Sequence, residues 1–315
     1  MFAKQTIASA SFVVVLAGAS VIAHADPERQ ATGTFEVGAG FSSYEGFIAQ
    51  SRVEQSSLFG SGHMLALDAR ISAQRQDFTL QYTTAKFGDG LSLSTELFMR
   101  QRELPAFTRR GTGGAFALQQ QLTPSLRGFI GYRFEQVTEP VRTRISAATA
   151  GLIYETPATT VGVAYEVSDQ RLGAAVNFER LNAWVRHAKP VGPLTLRLGG
   201  SYTQLTGNVP KSELLFIDGV TDLRGYAPGA IAPLGGTTKL TGRAELEVPL
   251  IRRLGISAVG FVDAGGFVDG GVGTFGASAG VGIVWRSPIG TLRFDWAVPL
   301  DGGKPRFLFG LGGDW

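Results

Sequence analysis

Five residues in the last quarter of the chain have the types that do acid–base work: Glu245, Glu247, Asp263, Arg293 and Asp295. Carboxylates held together beside an arginine are the raw material of a general acid–base pair. Their spacing points elsewhere. Glu245 and Glu247 alternate with Leu246 and Val248, Asp263 with Val262 and Ala264, and Arg293 and Asp295 with Leu292, Phe294 and Trp296. In a strand, successive side chains point to opposite faces, so all five charges share one face and the apolar residues the other. Charges of both signs on one enclosed face form a structural network more readily than a catalytic pair.

Other chemistry is sparse. Beyond the N-terminal region the histidines are His63 and His187, on separate segments. There is no cysteine, hence no disulfide framework and no thiol chemistry. No metal-ligand cluster and no Gly-x-Ser-x-Gly turn occurs. Gly270-Gly271-Val272-Gly273 is rich in glycine, but no helix follows it to cradle a phosphate. The net charge is +3 with the basic residues scattered, which gives no nucleic-acid patch. These observations exclude an enzyme and require neither cofactor nor metal.

The elements that position the charged face are strands. Phe35, Val37, Ala39 and Phe41 alternate with Thr34, Glu36, Gly38 and Gly40. The same period-two pattern runs through Leu65–Ser72, Leu91–Arg100, Leu126–Glu135 and Leu194–Gly199. No comparable helical stripe competes with it. Turn signals punctuate the runs at Gly88-Asp89-Gly90, Thr123-Pro124-Ser125, Gly192-Pro193, Ser287-Pro288-Ile289-Gly290 and Asp301-Gly302-Gly303. The spacing gives about sixteen strands. They start near Thr32, Glu45, His63, Asp77, Gly90, Gly113, Ser125, Thr143, Thr159, Arg171, Pro193, Thr237, Leu254, Phe275, Thr291 and Pro305.

The first residues set the compartment. Lys4 opens a short positive start, an apolar run follows from Ile7 to Ala23, and Ala23-His24-Ala25 is a small-x-small cleavage site. That order is an export signal over residues 1–25, with the mature part at 26–315 beginning on Asp26. No later stretch reaches the roughly 18 apolar residues of a membrane helix. An exported all-β chain with an apolar face and a charged face is a transmembrane barrel, because only a closed sheet leaves no unpaired backbone in lipid. The expected fold is a 16-stranded antiparallel transmembrane β-barrel in the bacterial outer membrane, with both termini periplasmic. The longer connections, Arg102–Gly111, Gly207–Gly236 and Phe267–Thr274, then fall outside. Arg100, Arg102, Arg109 and Arg110 flank the first of these and read as a charged rim, either solvated or against lipopolysaccharide phosphates.

The final segment carries Phe307, Phe309, Leu311 and Trp315 on one face and stops on the aromatic, an interfacial anchor that resembles the C-terminal assembly signal of outer-membrane proteins. Upstream stand Leu223-Arg224-Gly225-Tyr226, then Gly242–Leu250, Gly260-Phe261-Val262-Asp263-Ala264-Gly265, Ser278–Ile283 and Ser287–Leu300. This series resembles the barrel of the bacterial surface antigen superfamily, also called the Omp-eighty-five superfamily, to which BamA, TamA and the two-partner secretion transporters belong. The resemblance covers the mature chain, strongly from Asp218 onward. It departs from the family at Asp218-Gly219, where Gly-Gly is usual, and between Ile145 and Arg186, where the match is weak. No segment corresponds to the periplasmic POTRA repeats.

The resemblance implies that the loop tip Arg224-Gly225-Tyr226 folds into the barrel and that Arg224 meets Asp263. It implies a barrel that takes part in insertion, assembly or translocation of outer-membrane proteins. Its partners would then be outer-membrane lipids, lipopolysaccharide, unfolded outer-membrane proteins and other subunits of an assembly complex. The alternatives are a passive small-solute channel and a structural subunit. Glycines at 33, 38 and 40 near the first strand and at 310, 312 and 313 near the last predict a soft seam where the sheet closes.

Overall fold

The computed structural model describes residues 19–21, 33–42, 45–58, 60–84, 90–287 and 290–311. The expected cleavage site and Trp315 lie outside them. Sixteen strands form the wall: β1 (Gly33–Ser42), β2 (Gly46–Leu58), β3 (His63–Ser72), β4 (Arg75–Thr83), β5 (Leu91–Glu103), β6 (Thr108–Thr123), β7 (Leu126–Glu139) and β8 (Thr143–Glu155), followed by β9 (Thr159–Ser168), β10 (Phe178–Val191), β11 (Leu194–Gly207), β12 (Thr238–Ile251), β13 (Ile256–Asp269), β14 (Val272–Ser287), β15 (Gly290–Pro299) and β16 (Arg306–Leu311). Each pairs antiparallel with its chain neighbours, and β16 pairs with β1, so the sheet is closed. The expected 16-stranded antiparallel barrel is the fold.

Closure follows from the two faces of the strands. Leu67, Leu97, Met99, Ile130, Val163, Leu198, Val262, Val281 and Trp296 point outward and stay exposed, forming an apolar outer surface suited to lipid. The alternate positions point into the lumen, where Glu135, Glu166, Glu245, Asp263 and Asp295 are buried. Two small apolar clusters also line the interior, one of Val137, Ile145, Ala147, Phe178 and Leu205, the other of Phe129, Ile153 and Ala164.

The sequence misplaces some boundaries. The strand expected from Gly113 begins at Thr108, because the alternation already runs through Arg109 and Gly111. The strand expected from Arg171 begins at Phe178, because Gln170–Leu172 is a 3-10 turn capped by the Asp169 carboxylate and ended by Gly173 in the left-handed region. Two of the three expected long connections are short. Strands β5 and β6 run on until only residues 104–107 join them, and β13 and β14 meet at Gly270-Gly271, both at positive φ. Polar residues there sit on extended ladders and not in loops. Only the connection 208–237 is long as expected.

The seam differs from the rest of the wall. Strand β1 pairs with β2 from Gly33 to Ser42, and among the described residues with β16 from Ala39 to Ser42. Its other edge positions Phe35, Glu36 and Val37 pair with a separate three-residue strand, Ala19–Val21. Since β2 occupies one edge of β1 throughout, this added strand lies on the edge that faces β16.

Candidate functional site

The connection 208–237 folds back into the lumen. Its neck is closed by the reciprocal backbone pair Leu215 and Gly236, each N–H donating to the other's carbonyl at 2.9 Å. The tip is shaped by Asp218. Its Oδ1 accepts from the N–H groups of Val220 (2.8 Å) and Thr221 (3.1 Å), and its carbonyl accepts from Asp222 and Leu223, both at 3.0 Å. Asp and Asn favour such turns because the side chain replaces a backbone acceptor. Ile217, Leu223 and Tyr226 then pack against Phe267 of β13, so the loop carries a small core of its own.

This core delivers Arg224 to the charged face of β12, β13 and β15. Arg224 Nε donates to Asp263 Oδ2 at 2.7 Å and Nη2 to Asp263 Oδ1 at 2.8 Å, a bidentate fork. Its backbone N–H reaches the same carboxylate at 3.2 Å. Nη1 donates to Asp295 at 3.0 Å and Glu245 at 3.2 Å. The guanidinium lies 3.4 Å from the centre of the Phe261 ring, within cation–π range. Arg224 is 2% exposed and Asp263 not at all, so these contacts act at low dielectric. Burial pulls the Arg224 pKa down, but the hydrogen bond and charge of Asp263, with Asp295, outweigh it and hold the guanidinium above its usual value.

Arg293 links the carboxylates, with Nε donating to Asp295 at 2.8 Å and Nη1 to Glu245 at 3.2 Å. Glu247 stands apart from Arg224. It is held by Arg197 and by Arg286, whose Nη2 donates at 3.0 Å. Arg243 bridges loop and wall, donating to the Thr221 carbonyl at 2.9 Å and approaching Asp263 at 3.5 Å. Glycine on β14 makes the room. A Cβ at Gly280 would meet the Phe261 ring at 2.2 Å, and one at Gly282 would meet Asp295 Oδ1 at 2.2 Å. Gly225 has φ +94°, which lets the chain turn away directly after Arg224. Tyr226 then caps the site, its hydroxyl donating to the Ala277 carbonyl at 3.1 Å.

The fold is that of a known barrel family. Residues 144–315, more than half of the chain, match the Omp85 superfamily domain. The chain belongs to the Omp85 superfamily. The outer membrane protein assembly factor BamA of Nitratidesulfovibrio vulgaris is 24% identical over 338 residues, covering 90% of this chain and 42% of the relative. BamA of Neorickettsia risticii is 23% identical over 335 residues, covering 91% and 45%. The chain therefore spans less than half the length of these curated relatives. The crystal structure of BamA from Haemophilus ducreyi lacking POTRA domains 1-3 matches with a TM-score of 0.77 at 19% identity, over 90% of this chain and 70% of that one. This likeness is one of fold.

The structure brings Arg224 together with Asp263, Glu245 and Asp295, and sets Arg293 among the carboxylates. At the seam, Phe307 and Phe309 flank Phe294 of β15, with ring centroids at 6.4 and 4.8 Å. Leu311 continues the β16 ladder opposite Leu292.

The arginine rim needs correcting. Arg110 is exposed and paired with Glu139. Arg109 instead points into the lumen, Arg102 reaches Asp218 of the loop at 3.2 Å, and Arg100 pairs with Glu96. Strand parity dictates this, since Arg100, Arg102 and Arg109 fall on the lumen face of the β5–β6 pair.

A second cluster escaped the sequence reading. Glu213, on the 3-10 turn Lys211–Glu213, accepts from Arg109 at 2.8 Å, from Arg133 at 3.2 Å and from Arg180. Arg133 and Glu135 already alternate correctly in the β7 pattern, but nothing periodic marks Glu213. Burial pushes its carboxyl up, and the charges of Arg133, Arg109 and Arg180 more than offset that, leaving it well below the usual range. Asp218 behaves alike: burial raises it, while Arg102 and the N–H groups of Val220 and Thr221 bring it down to about 2.

Proposed function

We propose that this Omp85 chain is an exported outer-membrane barrel that takes part in the insertion, assembly or translocation of outer-membrane proteins. In this reading residues 1–25 are the export signal and residues 26–315 the barrel. It works by presenting strand edges rather than by catalysing a covalent reaction, and it needs no cofactor. Its partners are outer-membrane lipids, with lipopolysaccharide on the outer side, unfolded outer-membrane proteins and subunits of an assembly complex.

The observation that carries the reading is the edge of β1. Among the described residues, Ala39–Ser42 of that edge pair with β16, and Phe35–Val37 pair with the short strand Ala19–Val21. The edge thus already accepts an added antiparallel strand while the barrel is closed above it. Once the export signal is removed, the same edge is free for a substrate strand, which is recognition by strand addition. The names of the relatives, outer membrane protein assembly factors, agree with it. A porin-like channel is disfavoured by the loop that crosses the lumen.

The test locks the seam. Phe41 and Phe309 stand opposite each other across it, and the chain has no native cysteine. Phe41→Cys with Phe309→Cys gives one defined disulfide if the strands settle into bonding geometry. In vesicles, the full chain should speed the folding of a urea-denatured outer-membrane protein, read as heat-modifiable gel mobility. The oxidised variant should fall to the rate of protein-free vesicles, and reduction should restore it. Full activity in the oxidised state would sink the strand-addition mechanism.

A further inference from the structure

The lumen loop is tied down twice, to opposite charges. Arg224 is met by three carboxylates on β12, β13 and β15. Glu213 is met by three arginines on β6, β7 and β10: Arg109, Arg133 and Arg180. Its side chain is 3% exposed. Arg109 also donates through Nε to the Ser212 carbonyl at 2.8 Å, so backbone and side chain of the turn are both held.

The wall around Glu213 does not balance without it. Arg109 and Arg133 share Glu135, each at 2.8 Å, and Arg133 and Arg180 share Glu166 at 3.0 and 3.1 Å. Three guanidinium groups thus face two wall carboxylates, and the loop supplies the third. Even with Glu213 seated, the buried Nε atoms of Arg133 and Arg180 find no acceptor. An arginine-rich wall of this kind holds a carboxylate strongly and tolerates its loss poorly. Between the two ties, Arg102 holds Asp218. The loop therefore bridges the bore from the β6–β10 side to the β12–β15 side.

We propose that Glu213 is the latch of this bridge, holding the first half of the loop independently of Arg224, and that its release opens an anion-preferring path along the arginine wall. The opened wall presents Arg109, Arg133 and Arg180 against Glu135 and Glu166 and attracts small inorganic anions such as chloride. The inference does not depend on strand handling at the seam. A barrel that never adds a substrate strand would still have this latch.

The test uses the full chain in planar bilayers with potassium chloride. Glu213→Gln removes the charge and keeps the shape, and Arg180→Gln weakens the latch from the wall. Each should raise the time-averaged conductance at least about fivefold over the unaltered chain. The reversal potential of Glu213→Gln in a salt gradient should shift toward chloride. Folding of each variant is read by heat-modifiable gel mobility.

A second readout needs no conductance. The Ser212 hydroxyl is buried without a partner and the chain has no cysteine, so Ser212→Cys adds a single reporter. It should resist a membrane-impermeant maleimide in the otherwise unaltered chain and in Arg224→Ala. It should react at least about tenfold faster with Glu213→Gln or Arg180→Gln. Protection in all four backgrounds, or unchanged conductance in both latch variants, overturns the proposal. An opened path that prefers potassium overturns its anion selectivity.

Discussion

Arg224 and Asp263, far apart in the chain, meet as a two-toothed ion pair with both oxygens engaged at 2.7 and 2.8 Å and both residues buried. Such a pair is costly to break from one side, because the orphaned charge stays buried. Arg224→Ala should lower the stability of the folded barrel by about 3–5 kcal/mol, with the low end favoured because Arg243 still approaches Asp263. Arg224→Lys should recover only part of this, since an ammonium cannot fork across both oxygens. Urea midpoints of the heat-modifiable form would check both. Equal midpoints for the lysine variant and the unaltered chain would refute the bidentate argument.

The residue after that arginine offers a purely conformational test. Gly225 sits at φ +94°, and a Cβ there would come within 3.4 Å of the Ala297 Cβ. That contact is ordinary, so the cost of Gly225→Ala is backbone strain of about 1–2 kcal/mol. The variant should fold but unseat Tyr226 from the Ala277 carbonyl. Unaltered urea stability would place the turn elsewhere.

Parity explains how much of this was legible in the sequence. Glu245, Asp263, Arg293 and Asp295 share a face because the strand period is two, and no knowledge of the partner strand is needed. Arg109 reads as part of a charged rim because its strand begins at Thr108 and not at Gly113, but the same rule already held Arg133 and Glu135. What it lacked was the loop end of the contact. Glu213 lies in an aperiodic stretch, and its three partners come from strands up to 104 residues upstream. Local pattern carries no information about such a meeting. The full length of the β13 and β14 ladders is hidden in the sequence for a related reason: Gly270-Gly271 looks like a loop, yet two residues at positive φ suffice for a hairpin.

Acid should loosen the loop. Asp218 is held at about 2, below its ordinary 3.8, and Glu213 lies well below its ordinary 4.5. A carboxyl depressed in the folded state stabilises that state fully above its unfolded value, and the contribution is lost as pH falls through the folded value. Stability should therefore be flat from neutrality to about pH 5 and decline between about pH 4 and pH 2. Glu213→Gln should flatten part of that decline. A urea midpoint independent of pH down to 2 would contradict the burial of these carboxylates in ion pairs.

The outer face makes a separate claim. Leu97 stands near the middle of β5 and is 59% exposed, pointing away from the lumen. Leu97→Arg should cost about 2–4 kcal/mol in a bilayer, the penalty for a cation at the midplane of a lipid-facing strand. In a detergent with a loosely packed micelle the loss should shrink. Equal stability of the variant and the unaltered chain in lipid vesicles would mean that this face does not meet hydrocarbon.

The seam should be the weakest ladder of the barrel. Among the described residues, β1 and β16 share four paired positions, Ala39 to Ser42 with Leu311 to Leu308, whereas β6 and β7 pair from Arg110 to Thr123. Gly40 and Gly310 face each other within those four, so side-chain packing there is slight. Local opening costs less where fewer bonds and contacts must break together. Amides of β16 and of Ala39–Ser42 should exchange with deuterium at least about tenfold faster than those in the middle of β6 and β7, a difference of about 1.4 kcal/mol in opening free energy. The disulfide between positions 41 and 309 should slow the seam and leave β6 and β7 unchanged. Exchange as slow at the seam as at β6–β7 would mean that the edge of β1 is not available, and that strand addition there has no physical basis.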